Sequence, residues 1–148
     1  MRIQVNLNDP HFSESQSDIF FAIYWEHDNT FYPEENWSDF GIRLLSFWTS
    51  TIKELVEQNH KESVFNFMDG PYRIQAQYDG KTHNVKLFLE RDYIIWETRI
   101  DIIINELIRA IEKVYIELKQ KNKLSEYKDG LKKLSAILNR CLSKVEAV

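Results

Sequence analysis

Between Glu26 and Asp39 the chain places five carboxylates, Glu26, Asp28, Glu34, Glu35 and Asp39, with no lysine or arginine among them. His27 and three rings, Phe31, Tyr32 and Trp37, are interleaved with these acids. Such residues support two kinds of chemistry. Carboxylates beside a histidine can pass protons, so Asp28, Glu34 or Glu35 with His27 would serve a small hydrolase. Acids mixed with large rings also make a docking face for a basic protein, the rings anchoring and the charges steering. A third reading asks only for folding: the rings cap the core, and the acids are solvated near a helix N-terminus, where negative charge is favourable.

Elsewhere, reactive groups are sparse. His11, His27, His60 and His83 fall in separate segments, without an HExxH or any other metal-ligand spacing. No phosphate-binding glycine loop, GxGxxG or GxSxG is present. Cys141 is the only cysteine and sits on an apolar helical seam, so it reads as a packed thiol rather than a nucleophile. The sequence therefore assigns no catalytic residue, no metal ligand and no cofactor.

Charge narrows the partner classes. Residues 1–118 carry 20 acidic and 11 basic side chains, whereas residues 119–148 carry 3 and 8. An acidic body argues against nucleic acid as the direct ligand, because phosphate binding needs a positive surface. The basic stretch from Lys119 to Lys144 would suit a nucleic-acid-binding regulator, but its lysines flank an apolar seam and read as the solvated outer face of a packed helix. No apolar run comes near the length of a membrane span, and Met1-Arg2-Ile3-Gln4-Val5-Asn6 lacks the core of a signal peptide. The expected compartment is the cytoplasm, with no membrane contact.

The elements that must position these groups follow from periodicity. At 148 residues, with 43% hydrophobic and 14% aromatic side chains, one α+β domain with a large core is expected. Ile3, Val5 and Leu7 alternate with polar residues as in a half-buried strand. The polar segment Asp9–Ser17 then breaks the pattern, and Ile19–Trp25 reads as a central strand covered on both faces. A loop over Glu26–Asp39 leads to a helix capped by Ser38, with Trp37 stapled onto Ile42, ending at Asn59-His60. From Ser63 to Ile100 an antiparallel meander is expected. Asp69, Gly70 and Pro71 form its first turn, widened because Pro71 has no amide to close a two-residue loop. Asp69→Ala is accordingly expected to weaken folding more than partner choice.

A tight turn at Asp79-Gly80 would set Tyr78 opposite Lys81, Ile74 opposite Val85 and Tyr72 opposite Leu87. A turn at Arg91-Asp92 would set Leu89 opposite Ile94 and Leu87 opposite Trp96. Phe88, Tyr93 and Ile95 then lie on the face away from the core, as a second contact patch or under another element. A helix from Asp101 to Gln120 carries Ile103, Leu107, Ile111, Val114 and Leu118. A further helix carries Leu124, Tyr127, Leu131, Leu134, Leu138, Cys141 and Val145. The expected order is ββαββββαα, about six strands in one antiparallel sheet with three helices.

The succession of Trp37 before a helix holding Trp48, then Phe65-Asn66-Phe67-Met68-Asp69-Gly70-Pro71-Tyr72, then Tyr93-Ile94-Ile95-Trp96-Glu97 and a long helix, resembles a known family. It is similar to immunity proteins of bacterial polymorphic toxin systems, especially those paired with LXG-type toxins, over residues 19–118. The resemblance implies a non-enzymatic antitoxin that binds the C-terminal catalytic domain of a cognate secreted toxin. A nuclease toxin must attract phosphate, so an acidic inhibitor is its expected complement. The resemblance carries over no contact residues. The docking surface expected from charge and aromatics is Glu26, Asp28, Phe31, Tyr32, Glu34, Glu35, Trp37 and Asp39, and a homodimer is compatible with the sequence.

Overall fold

Ile3 and Val5 are buried while Gln4 and Asn6 are half-buried, the alternation that makes Arg2–Asn6 a strand, β1, with one face on the core. The computed structural model describes residues 1–15 and 18–147; Gln16 and Ser17, within the expected polar segment, and Val148 lie outside the described residues. After β1 come β2 (Ser13–Ser15), β3 (Asp18–His27), β4 (Thr30–Tyr32), β5 (Ser38–Phe40) and α1 (Gly41–Val56). They are followed by β6 (Glu62–Asn66), β7 (Arg73–Tyr78), β8 (Asn84–Leu89), β9 (Ile94–Arg99), α2 (Ile100–Gln120) and α3 (Lys128–Glu146).

The architecture is α+β, as expected, but the strands form two antiparallel sheets of five and four strands rather than one of about six. In the first sheet Ala22 pairs with both Asn6 and Ser38, so β1 and β5 flank opposite edges of β3. The same overlap at Phe20 and Trp25 places β2 beside β1's end and β4 beside β5's. Each edge is thus one strand interrupted by an excursion, at Leu7–Phe12 on one side and Pro33–Trp37 on the other. The three strands that periodicity misses are three residues long each, too short to show a period of two.

β3 also departs from expectation. Ile19, Phe21, Ile23 and Trp25 are fully buried on its inner face, but Phe20 and Tyr24 on the other face are only half-buried. Instead of a covering layer, that face has aromatic pairs, Phe20 with Phe40 at 5.3 Å and Tyr24 with Phe31 at 6.0 Å between centroids.

The second sheet is the expected meander, in the order β6-β7-β8-β9. The β8–β9 register is the expected one, with Leu89 opposite Ile94 and Leu87 opposite Trp96. The β7–β8 register is not: Ile74 faces Leu89 and Tyr78 faces Val85. The cause is the connection, which is wider than a two-residue turn. Asp79 accepts hydrogen bonds from the Lys81 and Thr82 amides at 2.8 and 3.4 Å, its own amide donates to the Asn84 carbonyl, and His83 adopts a φ of 65°. The resulting slip is even, so every side chain keeps its face.

α1 begins at Gly41, not Ser38, because Ser38–Phe40 are already paired to β3. Phe40 caps it without a side-chain bond, and the Asp39 carboxylate accepts the Phe40 amide at 2.7 Å. Asn59, at a φ of 55°, marks the end as expected. α3 starts after Leu124 and Tyr127 and packs on α1 and α2 of the same chain. The Arg140 guanidinium makes two 2.7 Å hydrogen bonds to Glu57, and Lys144 lies 3.6 Å from the same carboxylate. One continuous core joins both sheets and all three helices. At its centre Trp25 meets Trp48 at 5.4 Å and Phe65 at 4.9 Å.

Two sheet edges are partly closed by helix side chains. On β1 the outward amides of Ile3 and Leu7 donate to Glu106 and Glu117 of α2, at 3.0 and 3.3 Å. On β6 the outward carbonyls of Val64 and Asn66 accept from Thr51 and Trp48 of α1, at 2.7 and 2.9 Å. Buried backbone groups need such partners, and helix side chains laid along an edge hinder its pairing with another chain.

Candidate partner-binding surface

Strands β4 and β5 put much of the Glu26–Asp39 segment into the first sheet, and this decides what each side chain offers. Tyr32 is fully buried. Its hydroxyl lies 2.9 Å from the Arg73 carbonyl and 2.8 Å from that of Glu90, and accepts the Arg73 amide at 3.0 Å. Burial, with Asp92 and Glu90 nearby, outweighs the Arg73 backbone bond and pushes its pKa up to about 12. Asp39 is fully buried as well, and its carboxylate accepts from Trp37 Nε1 and from the amides of Phe40, Met68 and Asp69 at 2.7–3.1 Å. Both residues therefore leave the expected docking surface. They are internal clamps, because the segment is pinned to the second sheet rather than hanging free.

The remaining members divide. Glu34 and Glu35 are exposed on the Pro33–Trp37 excursion, and Asp28 is exposed at the β3–β4 turn, 3.5 Å from His27 Nε2. Glu26 is half-buried and accepts from Gln4 Nε2 at 3.1 Å. Phe31 packs edge-on against Tyr24, whose pKa is raised by burial and then by Glu35 and Glu26. Trp37 is half-buried against Tyr72 at 5.1 Å. His27 packs its ring 5.6 Å from that of Trp96, with Nδ1 buried and unpartnered.

Trp37 carries the segment to a neighbouring groove. A Cβ on Gly70 would stand 3.0 Å from both the Trp37 and Tyr72 rings, so any side chain there would push these rings aside by a few tenths of an ångström. Asp69, Gly70 and Pro71 thus form the wide turn between β6 and β7, closed by a 3.2 Å bond from the Phe67 amide to the Tyr72 carbonyl. This turn and the Glu90–Tyr93 turn wall an open groove of about 1020 Å³ floored by Gln75, Phe88 and Ile95. The Arg73 guanidinium binds Glu90 through two nitrogens, one at 2.8 Å, and Arg91 Nε donates to the Pro71 carbonyl at 3.1 Å, tying the two turns together. Tyr93 is 97% exposed at the rim and Ile95 57% exposed on the floor. Asp69 and Asp92, both exposed, form no ion pair among the described residues.

None of His27, Asp28, Glu34 and Glu35 lines this groove. No cluster of His, Cys, Asp or Glu among the described residues could hold a metal ion, and no described helix is long and apolar enough to cross a membrane. Burial pushes the Cys141 thiol up, away from the reactive thiolate. The basic stretch is partly neutralised within the fold, Lys123 reaching Glu14 at 2.7 Å and Arg140 reaching Glu57. The outer-face patch Phe88, Tyr93 and Ile95 was legible from the β8–β9 register; its union with the Asp69-Gly70-Pro71 turn into one groove was not. Compared with known protein families, curated proteins and solved structures, the chain matches none of them.

Proposed function

We propose that this chain is an immunity protein, a non-catalytic inhibitor that binds the C-terminal catalytic domain of a cognate secreted toxin, a ribonuclease or other nuclease, inside the producing cell. The observation that carries this reading is the exposure of Tyr93 and Ile95 beside half-buried Phe88, on a sheet face that no described element covers. Apolar side chains gathered on such a face are what a protein partner would bury. The acidic balance of residues 1–118 supports the same partner, since a nuclease site must attract phosphate. The resemblance of Phe67-Met68-Asp69-Gly70-Pro71-Tyr72 and its surroundings to toxin-paired immunity proteins adds the biological setting.

The docking surface in this reading is the groove between the two turns, extended by Trp37, Glu34 and Glu35 on the adjoining excursion. Co-expression with the toxin encoded by the neighbouring gene tests it. Restored growth and a purified one-to-one complex are expected; continued toxicity with no complex contradicts it.

A further inference from the structure

Backbone hydrogen bonding in the second sheet fixes which groups of β9 face outward. The Ile100 amide donates to the His83 carbonyl at 2.9 Å, so these residues face each other at the end of the β8–β9 ladder. Alternation then turns Thr98, Trp96 and Ile94 toward β8, and Ile95, Glu97 and Arg99 away from it. As the residue before α2, Arg99 gives its carbonyl to the helix. The amides and carbonyls of Ile95 and Glu97, and the Arg99 amide, have no partner among the described residues.

This contrasts with the other edges. On those of β1 and β6, Glu106, Glu117, Thr51 and Trp48 each take an outward backbone group. The β4/β5 edge is cut by the Pro33–Trp37 excursion into two three-residue pieces. Among the described residues, β9 presents six uninterrupted residues with no outward backbone group bonded, directly beside exposed Tyr93 and Ile95. An edge left open in this way is a template for a further strand.

We infer that the open edge of β9 receives an extended segment of the protein partner as a fifth strand of this sheet, with an apolar residue beside Ile95 and a basic one beside Glu97. The inference rests on the reading of the chain as an inhibitor of a basic protein. Glu97 is free to take a new partner: its side chain is 73% exposed and its ion pair with Lys86 is long, at 4.0 Å. A second copy of the chain is disfavoured in the registers centred on the middle of the edge. Antiparallel self-pairing centred on Glu97 sets two like charges opposite each other, and pairing centred on Trp96 sets Ile95 against Glu97 on both sides. The acidic body of each copy adds repulsion.

Glu97→Pro tests this with little cost to the ladder, because the amide it removes points away from β8. Glu97→Lys keeps the backbone and changes only the charge. The probe is the catalytic domain of the toxin encoded by the neighbouring gene, with circular dichroism checking each variant's fold. The wild-type complex should slow amide exchange at Ile95 and Glu97 by about tenfold or more, Glu97→Pro should weaken binding about a hundredfold, and Glu97→Lys about tenfold. If both variants bind as tightly as wild type and these amides exchange as in the free chain, the edge assignment is wrong and the inhibitor reading stands. If the wild-type chain forms no complex, the inhibitor reading fails and takes this inference with it. A dimer of the free protein with the same amides protected overturns the inference by giving the edge to a second copy.

Discussion

The carboxylate of Asp39 accepts a hydrogen bond from the backbone amide of Asp69 at 3.1 Å, across 30 residues of sequence. The same carboxylate oxygen takes the Met68 amide at 3.1 Å, so a buried acid in the first sheet shapes the β6–β7 turn of the second. What Asp69 contributes to the fold is its amide, while its own side chain is exposed. An exposed side chain gives no support to the expectation from the sequence that Asp69→Ala would weaken folding more than partner choice.

Asp39→Ala should therefore cost about 3 kcal/mol or more, since it strips partners from several buried donors at once. Asp69→Ala should stay within about 0.5 kcal/mol of wild type, as an exposed substitution that leaves the amide in place. Urea unfolding of both variants measures the difference. Equal losses would mean the turn is not held by Asp39.

Tyr32→Phe removes a hydroxyl that serves the Arg73 amide and faces two carbonyls where the β7–β8 ladder ends. The ring stays in place, so the loss is that of buried polar partners, about 1–3 kcal/mol. Faster amide exchange at Arg73, measured by NMR, should accompany it. Unchanged stability would indicate that water replaces the hydroxyl.

Gly41→Ala tests close packing at the strand-to-helix junction. A Cβ there would fall 2.0 Å from Cζ of Phe21, itself fully buried, so the ring must shift within the core. Overpacking of this kind costs roughly 1–3 kcal/mol. A thermal melt lowered by several degrees is expected, whereas the open surroundings of Gly130 predict that Gly130→Ala raises it by removing a glycine from the first turn of α3.

The hydrogen bonds from Arg140 hold the Glu57 carboxyl down to about 2, helped by the charges of Arg140 and Lys144 and opposed by desolvation. The folded-state value lies below the ordinary 4.5, so the folded chain binds this proton less readily than the unfolded one. The stabilisation is complete above the ordinary value and is lost as pH falls towards the folded one. Acid unfolding of Glu57→Gln should accordingly lose the part of its pH dependence that wild type shows between about 4.5 and 2. An unchanged acid profile would show that α3 is not held through this pair.

Long elements with strong periodicity were legible in the sequence: β1, the meander, α2 and the seam of α3 all follow from side-chain spacing. The β8–β9 register was legible too, because its turn is short and Lys86 opposite Glu97 agrees with the apolar pairs. The β7–β8 register was not, since Asp79-Gly80 suits a tight turn in isolation and only the hydrogen bonds of Asp79 show the wider loop. The candidate surface was half legible. Charge and rings pointed to Glu26–Asp39, but nothing local distinguishes buried Asp39 and Tyr32 from exposed Glu34 and Glu35, because their partners in the second sheet lie 29 to 58 residues away. An open strand edge consists of backbone groups and leaves no trace in side-chain types.

The most direct test is the affinity between this chain and the catalytic domain of the toxin encoded beside it, measured by calorimetry with wild type and a Tyr93→Ala/Ile95→Ala double variant. The account predicts tight binding by wild type, a loss of about a hundredfold or more in the double variant from truncating exposed anchors, and toxin activity restored in parallel. No binding by wild type, or equal binding and equal inhibition by both chains, would contradict it.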